Sequence, residues 1–356
     1  MIEILYPRDG DVLTHHDGCE TSGALRVRVR GTAPAGEPVL VNGVPAAREG
    51  NEFSAEIALH ERWSGITASA ASGECRIRVA RVQQSRKRYR FSVDDNICFL
   101  KDLGTQPGAY PSLFDHPYLG FWREMHREFG TKVHLNIYYQ TDGFDLSELP
   151  GRWRDEWRAN APWLHLSFHG LQDQPDRPYR NAGYPQIAHD FDLVCGHIRR
   201  FAGEEVLSNT TTLHWAECPA DGVRALRDRG IENLVALFNV QGYTGECTTG
   251  YYLSKEQCAY CDTRGAWHDP ETGMTFIRCT AVVNAIALDE VPRYLDARTA
   301  TPHTAEMLEL LIHEQYFRSE LHYFQPDVQQ KVRTALRWAC DHGYEPVFWS
   351  GGFLGA

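Results

Sequence analysis

Four separated segments of this chain run as strand-like stretches and then deliver side chains able to bind a metal or move a proton. They end at Asp94-Asp95, at His169, at His214 and at His313. In a β/α barrel the C-terminal ends of the strands converge on one mouth, so residues far apart in sequence can surround a single ion. A carboxylate pair and several imidazoles gathered there would activate water for hydrolysis.

The residues differ in what they can contribute. Neighbouring side chains on an extended backbone point apart, so of Asp94 and Asp95 one can grip a metal while the other sits near its water. His169 closes Trp163–His169 and is followed by Gly170, where a strand should leave the barrel. His165 lies four residues earlier, a spacing that pairs side chains on a helix but separates them by about 13 Å on a strand. His169 is therefore the expected ligand and His165 a structural or rim histidine, unless the segment bends at Ser167. His214 ends a threonine-rich strand, Thr210-Thr-Thr-Leu-His214. One carboxylate and two neutral imidazoles leave positions open on zinc for water and substrate. Glu217 and Cys218 are nearby competitors, as is His189, and Cys218 reads as packing. His313 suits a general acid because histidine titrates near neutrality; it reads equally as a core histidine, since Met307–His313 fits strand or helix.

Weaker signals lie elsewhere. Cys258 and Cys261 have metal-site spacing, but only Cys247 and Cys279 are near, at loose spacing. Tyr243, Tyr251, Tyr252 and Trp267 offer apolar ring faces for sugars or for a core. Trp215, beside His214, and Tyr252 are the expected substrate contacts.

The elements that must position these residues can be read from composition and period. Hydrophobic residues make up 42% of the 356 and aromatics 12%, enough for a real core, and the length suits two domains. A net charge of −11 disfavours a nucleic-acid partner, and no apolar stretch is long enough for a membrane span. Nothing at the N-terminus reads as a secretion signal, so a cytoplasmic protein with ten reduced cysteines is expected. Oligomeric state is not legible.

Residues 1–85 alternate short apolar runs with turns. Leu25–Arg30 and Cys75–Val79 alternate strictly, and Val39–Val44 predicts a hairpin on Asn42-Gly43. From 88 onward strands and helices alternate through about seven β/α units, with an insertion near 241–280.

The first stretch resembles bacterial immunoglobulin-like modules through Val39–Val44 and Phe53–Leu59. Residues 86–356 resemble the NodB-homology polysaccharide deacetylases (carbohydrate esterase family four). The Thr-Phe-Asp-Asp-Gly motif stands here as Ser92-Val-Asp94-Asp95-Asn96, and a final apolar run with histidine as Leu310-Leu-Ile-His313. The His-Ser-x-x-His motif is matched only in the spacing of His165 and His169, and Arg-x-Pro-Tyr is replaced by His214-Trp-Ala-Glu-Cys-Pro219. The resemblance implies an α/β fold, a deacetylase-like (β/α)7 barrel behind a small all-β immunoglobulin-like sandwich. It implies Asp94 as catalytic base, Asp95 as metal ligand with His169 and His214, a divalent metal (zinc), and an acetylated glycan or amino sugar as substrate. His313 would protonate the departing amine. The altered motifs leave two alternatives: a catalytically silent carbohydrate-binding protein and a different metal-dependent hydrolase.

Overall fold

The computed structural model describes residues 1–238 and 249–356; Tyr243 and Cys247 lie outside the described residues. The chain divides into two compact units, one of residues 1–86 with 266–275 and the terminal Ala356, the other of residues 87–265 and 276–355.

The first unit is built from two five-stranded sheets. Ala24–Thr32 alternates buried and exposed residues along its length, as the Leu-Arg-Val-Arg-Val pattern requires of a sheet with one wet face. Leu25, Val27 and Val29 share an apolar cluster with Val41, Ile66, Ala68, Ile77 and Val79 from the other sheet. Leu40–Val41 and Val44–Pro45 form the expected hairpin, with Asn42 and Gly43 both at positive φ (47° and 82°). The expected insertion near 241–280 begins outside the described residues. Its residues 266–275 belong to this first unit, where Trp267 bridges Asp11 and its indole donates to the Asp9 carbonyl.

The second unit carries β1 (Arg88–Asn96), β2 (Val133–Tyr138), β3 (Leu164–Gly170), β4 (Thr210–Thr211), β5 (Asn233–Ala236), β6 (Thr275–Arg278) and β7 (Met307–His313). It is a mixed α/β fold with parallel pairing. β1 pairs in parallel with β2 and β7, β2 with β3, and β4 with β5. A parallel bridge joins Leu166 to Leu207 just before β4, and the Cys279 amide just after β6 donates to Ala236 of β5. Thr280 then donates to Glu309 of β7, so the succession of strands returns to β1 as a ring. The strands are buried almost throughout, as expected of strands covered on both faces. Helices separate them; Pro117–Phe129, for example, opens on a His116 cap with Pro at its first position and stops at Gly130, φ 68°. A last, two-residue strand, Glu345–Pro346, also pairs with β1.

Candidate metal centre

Parallel strands deliver their C-terminal ends to one side, and three of the expected residues meet there. Ligand atoms of Asp95, His169 and His214 lie within 4.8 Å of one another. His169 Nε2 is 3.0 Å and His214 Nδ1 3.6 Å from Asp95 Oδ1. All three line a cavity of about 710 Å³, with Asp94, His313 and Trp215 also on its wall.

Two local irregularities make this possible. Between Val93 and Asn96 the register of β1 slips against β2, and Asp95 takes a left-handed backbone (φ 62°). The extra residue is a β-bulge, which re-aims side chains at a strand end. Consecutive acids that a regular strand would point apart therefore both reach the cavity. A second slip, between Phe168 and Gly170 of β3, lies at His169. β3 stays extended through His165, whose ring stacks on Phe348 with centroids 3.6 Å apart and does not line the cavity. Burial pushes the His165 imidazole down to about 4.

The hydrogen bonds fix which nitrogen is bare. His169 Nδ1 donates to the Thr212 carbonyl (2.5 Å) and His214 Nε2 to the Asp173 carbonyl (3.2 Å). A carbonyl only accepts, so in the neutral rings the lone pairs sit on His169 Nε2 and His214 Nδ1, the two atoms facing Asp95. A bare nitrogen 3.0 Å from a carboxylate oxygen needs a proton or a cation beside it. Burial works against a charged His169, but Asp94 and Asp95 outweigh it and hold its pKa above the ordinary value. Burial also opposes ionised Asp95, yet its bond to His169 and the nearby imidazoles hold it well below the usual carboxylate range. His214 is pushed down to about 4, first by burial and then by His169. This set fits a divalent cation: a carboxylate held ionised and two lone pairs on one point, each ring anchored by its far N–H. Gln315 Oε1 and Thr212 Oγ1, on residues of the same wall, are buried without hydrogen-bond partners among the described residues.

Like Asp173 and Asp176, Asp94 is a cavity acid outside this set. Its Oδ1 accepts from Asn136 Nδ2 at 2.5 Å, and burial, more than any neighbouring charge, raises its pKa. His313 is a strand residue paired directly with Asp94 across β1 and β7, and its Nδ1 bonds Asn284 Oδ1 at 3.0 Å. The remaining expected residues lie elsewhere. Tyr252 lines a separate cavity with Arg180, Glu217 and Lys255. Glu217 is paired to Arg177, and His189 is on the surface of helix Tyr184–Phe201 beside Asp190. Cys258 and Cys261 are buried on one helix and belong to neither cluster of metal-competent side chains found among the described residues.

Two residues were not anticipated. The Tyr138 hydroxyl, at the end of β2, is 2.7 Å from both Asp95 Oδ1 and His214 Nδ1. Gln315 donates to Asp95 Oδ2 at 2.7 Å. Tyr138 ends a strand, the rule that found Asp95 and His169, and would have been found by it; His214 lies instead in the short turn His214–Ala216, because the expected strand stops at Thr211, and Gln315 follows His313 with no signal of its own.

No family model and no curated protein matches the chain. Among solved structures, a 4-alpha-glucanotransferase from Thermococcus litoralis aligns with 74% of this chain at 14% identity and a TM-score of 0.46; this chain spans 38% of its length. A xyloglucanase from Bacteroides ovatus aligns with 96% of this chain and 100% of its own at 9% identity, TM-score 0.28. An endo-beta-1,4-mannanase from Cellulomonas fimi aligns with 23% of this chain and 18% of its own at 21% identity, TM-score 0.16. No family model supports the deacetylase resemblance and none of these structures is a deacetylase, so the resemblance and its acetyl-removing reaction are corrected. Likenesses this distant carry no argument for any particular reaction here. No helix among the described residues is long and apolar enough to cross a membrane.

Proposed function

We propose that the chain is a carbohydrate-active hydrolase whose centre is a divalent-cation site of Asp95, His169 and His214, with zinc as the ion best suited to two imidazoles and a carboxylate. The observation that carries this reading is the aim of two tautomerically fixed lone pairs and an ionised carboxylate at one point beside a cavity. The cavity wall combines aromatic faces (Trp215, Tyr316, Tyr323) with amide and carboxylate groups (Asn284, Gln325, Asp173), a mixture suited to the apolar C–H faces and hydroxyls of a glycan.

A bound cation would supply Lewis acidity, activating water and stabilising developing negative charge. The chain's own residues do the rest. Tyr138 and Gln315 hold the two Asp95 oxygens in place. Asp94, anchored through Oδ1 by Asn136, presents its other oxygen as the base that takes the water's proton. His313, with Nδ1 held by Asn284, keeps Nε2 to protonate the departing glycosidic oxygen. The split between a raised Asp94 and a lowered Asp95 also suggests a second reading, a cation-free two-carboxylate glycosidase. Asp95 is ill placed for that role, because both its oxygens are already engaged.

The test is release of new reducing ends from an oligosaccharide panel by the zinc-loaded protein, with Asp94→Asn alongside. Cleavage abolished by chelation and lowered ~100-fold or more in Asp94→Asn is expected. Cleavage that survives chelation supports the second reading, and a fully active Asp94→Asn removes Asp94 from the mechanism.

A further inference from the structure

The interior of the ring of strands is not wholly apolar. Arg90 and Glu309 face each other fully buried, Arg90 Nε and Nη2 donating to the two carboxylate oxygens at 2.9 and 2.8 Å. Ser92 and Trp349 donate to the same carboxylate. The remaining guanidinium arm, Nη1, lies 2.6 Å from His134 Nδ1, and His134 Nε2 lies 2.8 Å from Ser167 Oγ. Ser167 Oγ lies 2.6 Å from Asn136 Oδ1, and Asn136 Nδ2 lies 2.5 Å from Asp94 Oδ1. Every member of this series is at least nine-tenths buried.

The donor inventory gives the series one direction. Arginine only donates, so His134 Nδ1 must be bare and its proton must sit on Nε2. Nε2–H then donates to Ser167, which leaves the serine hydroxyl proton for the nearest acceptor, Asn136 Oδ1. With its oxygen occupied, the Asn136 amide turns its NH2 onto Asp94. Burial, then the Arg90 charge, keeps His134 neutral by pushing its pKa well down, so this tautomer is not lost to protonation. Thr211 Oγ1, whose own proton goes to the Phe168 carbonyl, is the more distant acceptor for Ser167 Oγ, at 2.9 Å against 2.6 Å for Asn136 Oδ1, and does not reverse the order.

We infer that His134 is a positioning residue for Asp94: through Ser167 and Asn136 it relays the orientation set by the buried Arg90–Glu309 pair, fixing Asp94 with Oδ1 occupied and Oδ2 left for the reaction. The fixed orientation follows from the hydrogen bonds alone, while its catalytic consequence rests on the function proposed above. A ring of strands could fill these positions with aliphatic side chains. Buried polar groups are tolerated only when satisfied, and here the satisfaction runs in one line to the cavity.

The test compares crystal structures and kinetics of the native chain, Ser167→Ala, His134→Leu and His134→Gln. Glutamine can accept from Arg90 and donate to Ser167; leucine can do neither, and Ser167→Ala removes a single hydroxyl should His134→Leu not fold. Ser167→Ala and His134→Leu are expected to show Asp94 rotated or split between two orientations. Turnover on a glycan cleaved by the native protein should fall about tenfold to a hundredfold with KM unchanged. His134→Gln should recover both the single orientation and most of the turnover. A single native orientation of Asp94 in Ser167→Ala overturns the inference. The orientation is read whether or not a substrate is found, so failure of the proposed reaction is distinguished from failure of the relay.

Discussion

Protonation at two histidines decides what the site can hold. In the cation-free protein the Nε2 of His169 is shared with Asp95, and the carboxylates hold its pKa above the ordinary value. A cation must displace that proton. Below the raised pKa of His169 each binding event releases one proton, so apparent zinc affinity rises with pH by about tenfold per unit and levels off above it. His214 adds little to this slope, since its pKa near 4 leaves it already neutral. Competition titrations between pH 5 and about 8 check the sign; affinity that falls or stays flat as pH rises would contradict the assignment of His169 Nε2 as a ligand.

Among the elements, the turn that follows β7 holds the Asp95 oxygen that the histidines do not face. Helix Cys98–Thr105 is preceded by Ile97, which offers no capping side chain. Its first amides instead donate to Glu314: Ile97 and Cys98 to one carboxylate oxygen at 2.8 and 2.9 Å, Phe99 to the other at 2.6 Å. The next residue, Gln315, holds Asp95. Glu314→Ala strands buried amides and should cost about 2–4 kcal/mol in chemical denaturation, with Glu314→Gln losing less; an unchanged midpoint would show the cap to be dispensable. This bond could not be read from sequence, because Glu314 and Ile97 are far apart in the chain and share no pattern. The strand ends were legible, because buried runs stopping at Asp94-Asp95 and His169 have few other readings. The bulges were not: a one-residue slip leaves no mark on hydrophobic period, yet it turns Asp94 and Asp95 onto one cavity. Tyr252 misled for the converse reason, since an aromatic in an irregular stretch gives no clue to which cavity it lines.

At the scale of the molecule, alternation of strand and helix from residue 88 made the mixed α/β fold legible, while the place of residues 266–275 left no mark in the sequence. Residues 266–275 are remote in sequence from 1–86 but join them through His268 and Trp267, which bond Gly10 and Asp9. Deleting residues 1–86 therefore removes the partners of a segment that stays behind. Such a chain should melt several degrees lower or precipitate, as thermal unfolding would show; a native melting temperature would mean that 266–275 folds without them. The same topology gathers Asp95 and His169 from two strand ends and His214 from the turn after β4, and everything proposed for function depends on their sharing one cation. Zinc titration of the metal-free protein, followed by calorimetry, tests that most directly. One saturable equivalent per chain, weakened at least ~100-fold in Asp95→Asn and in His169→Ala but kept in Asp94→Asn, is the predicted result. No saturable binding, or binding indifferent to Asp95 and His169, would contradict it.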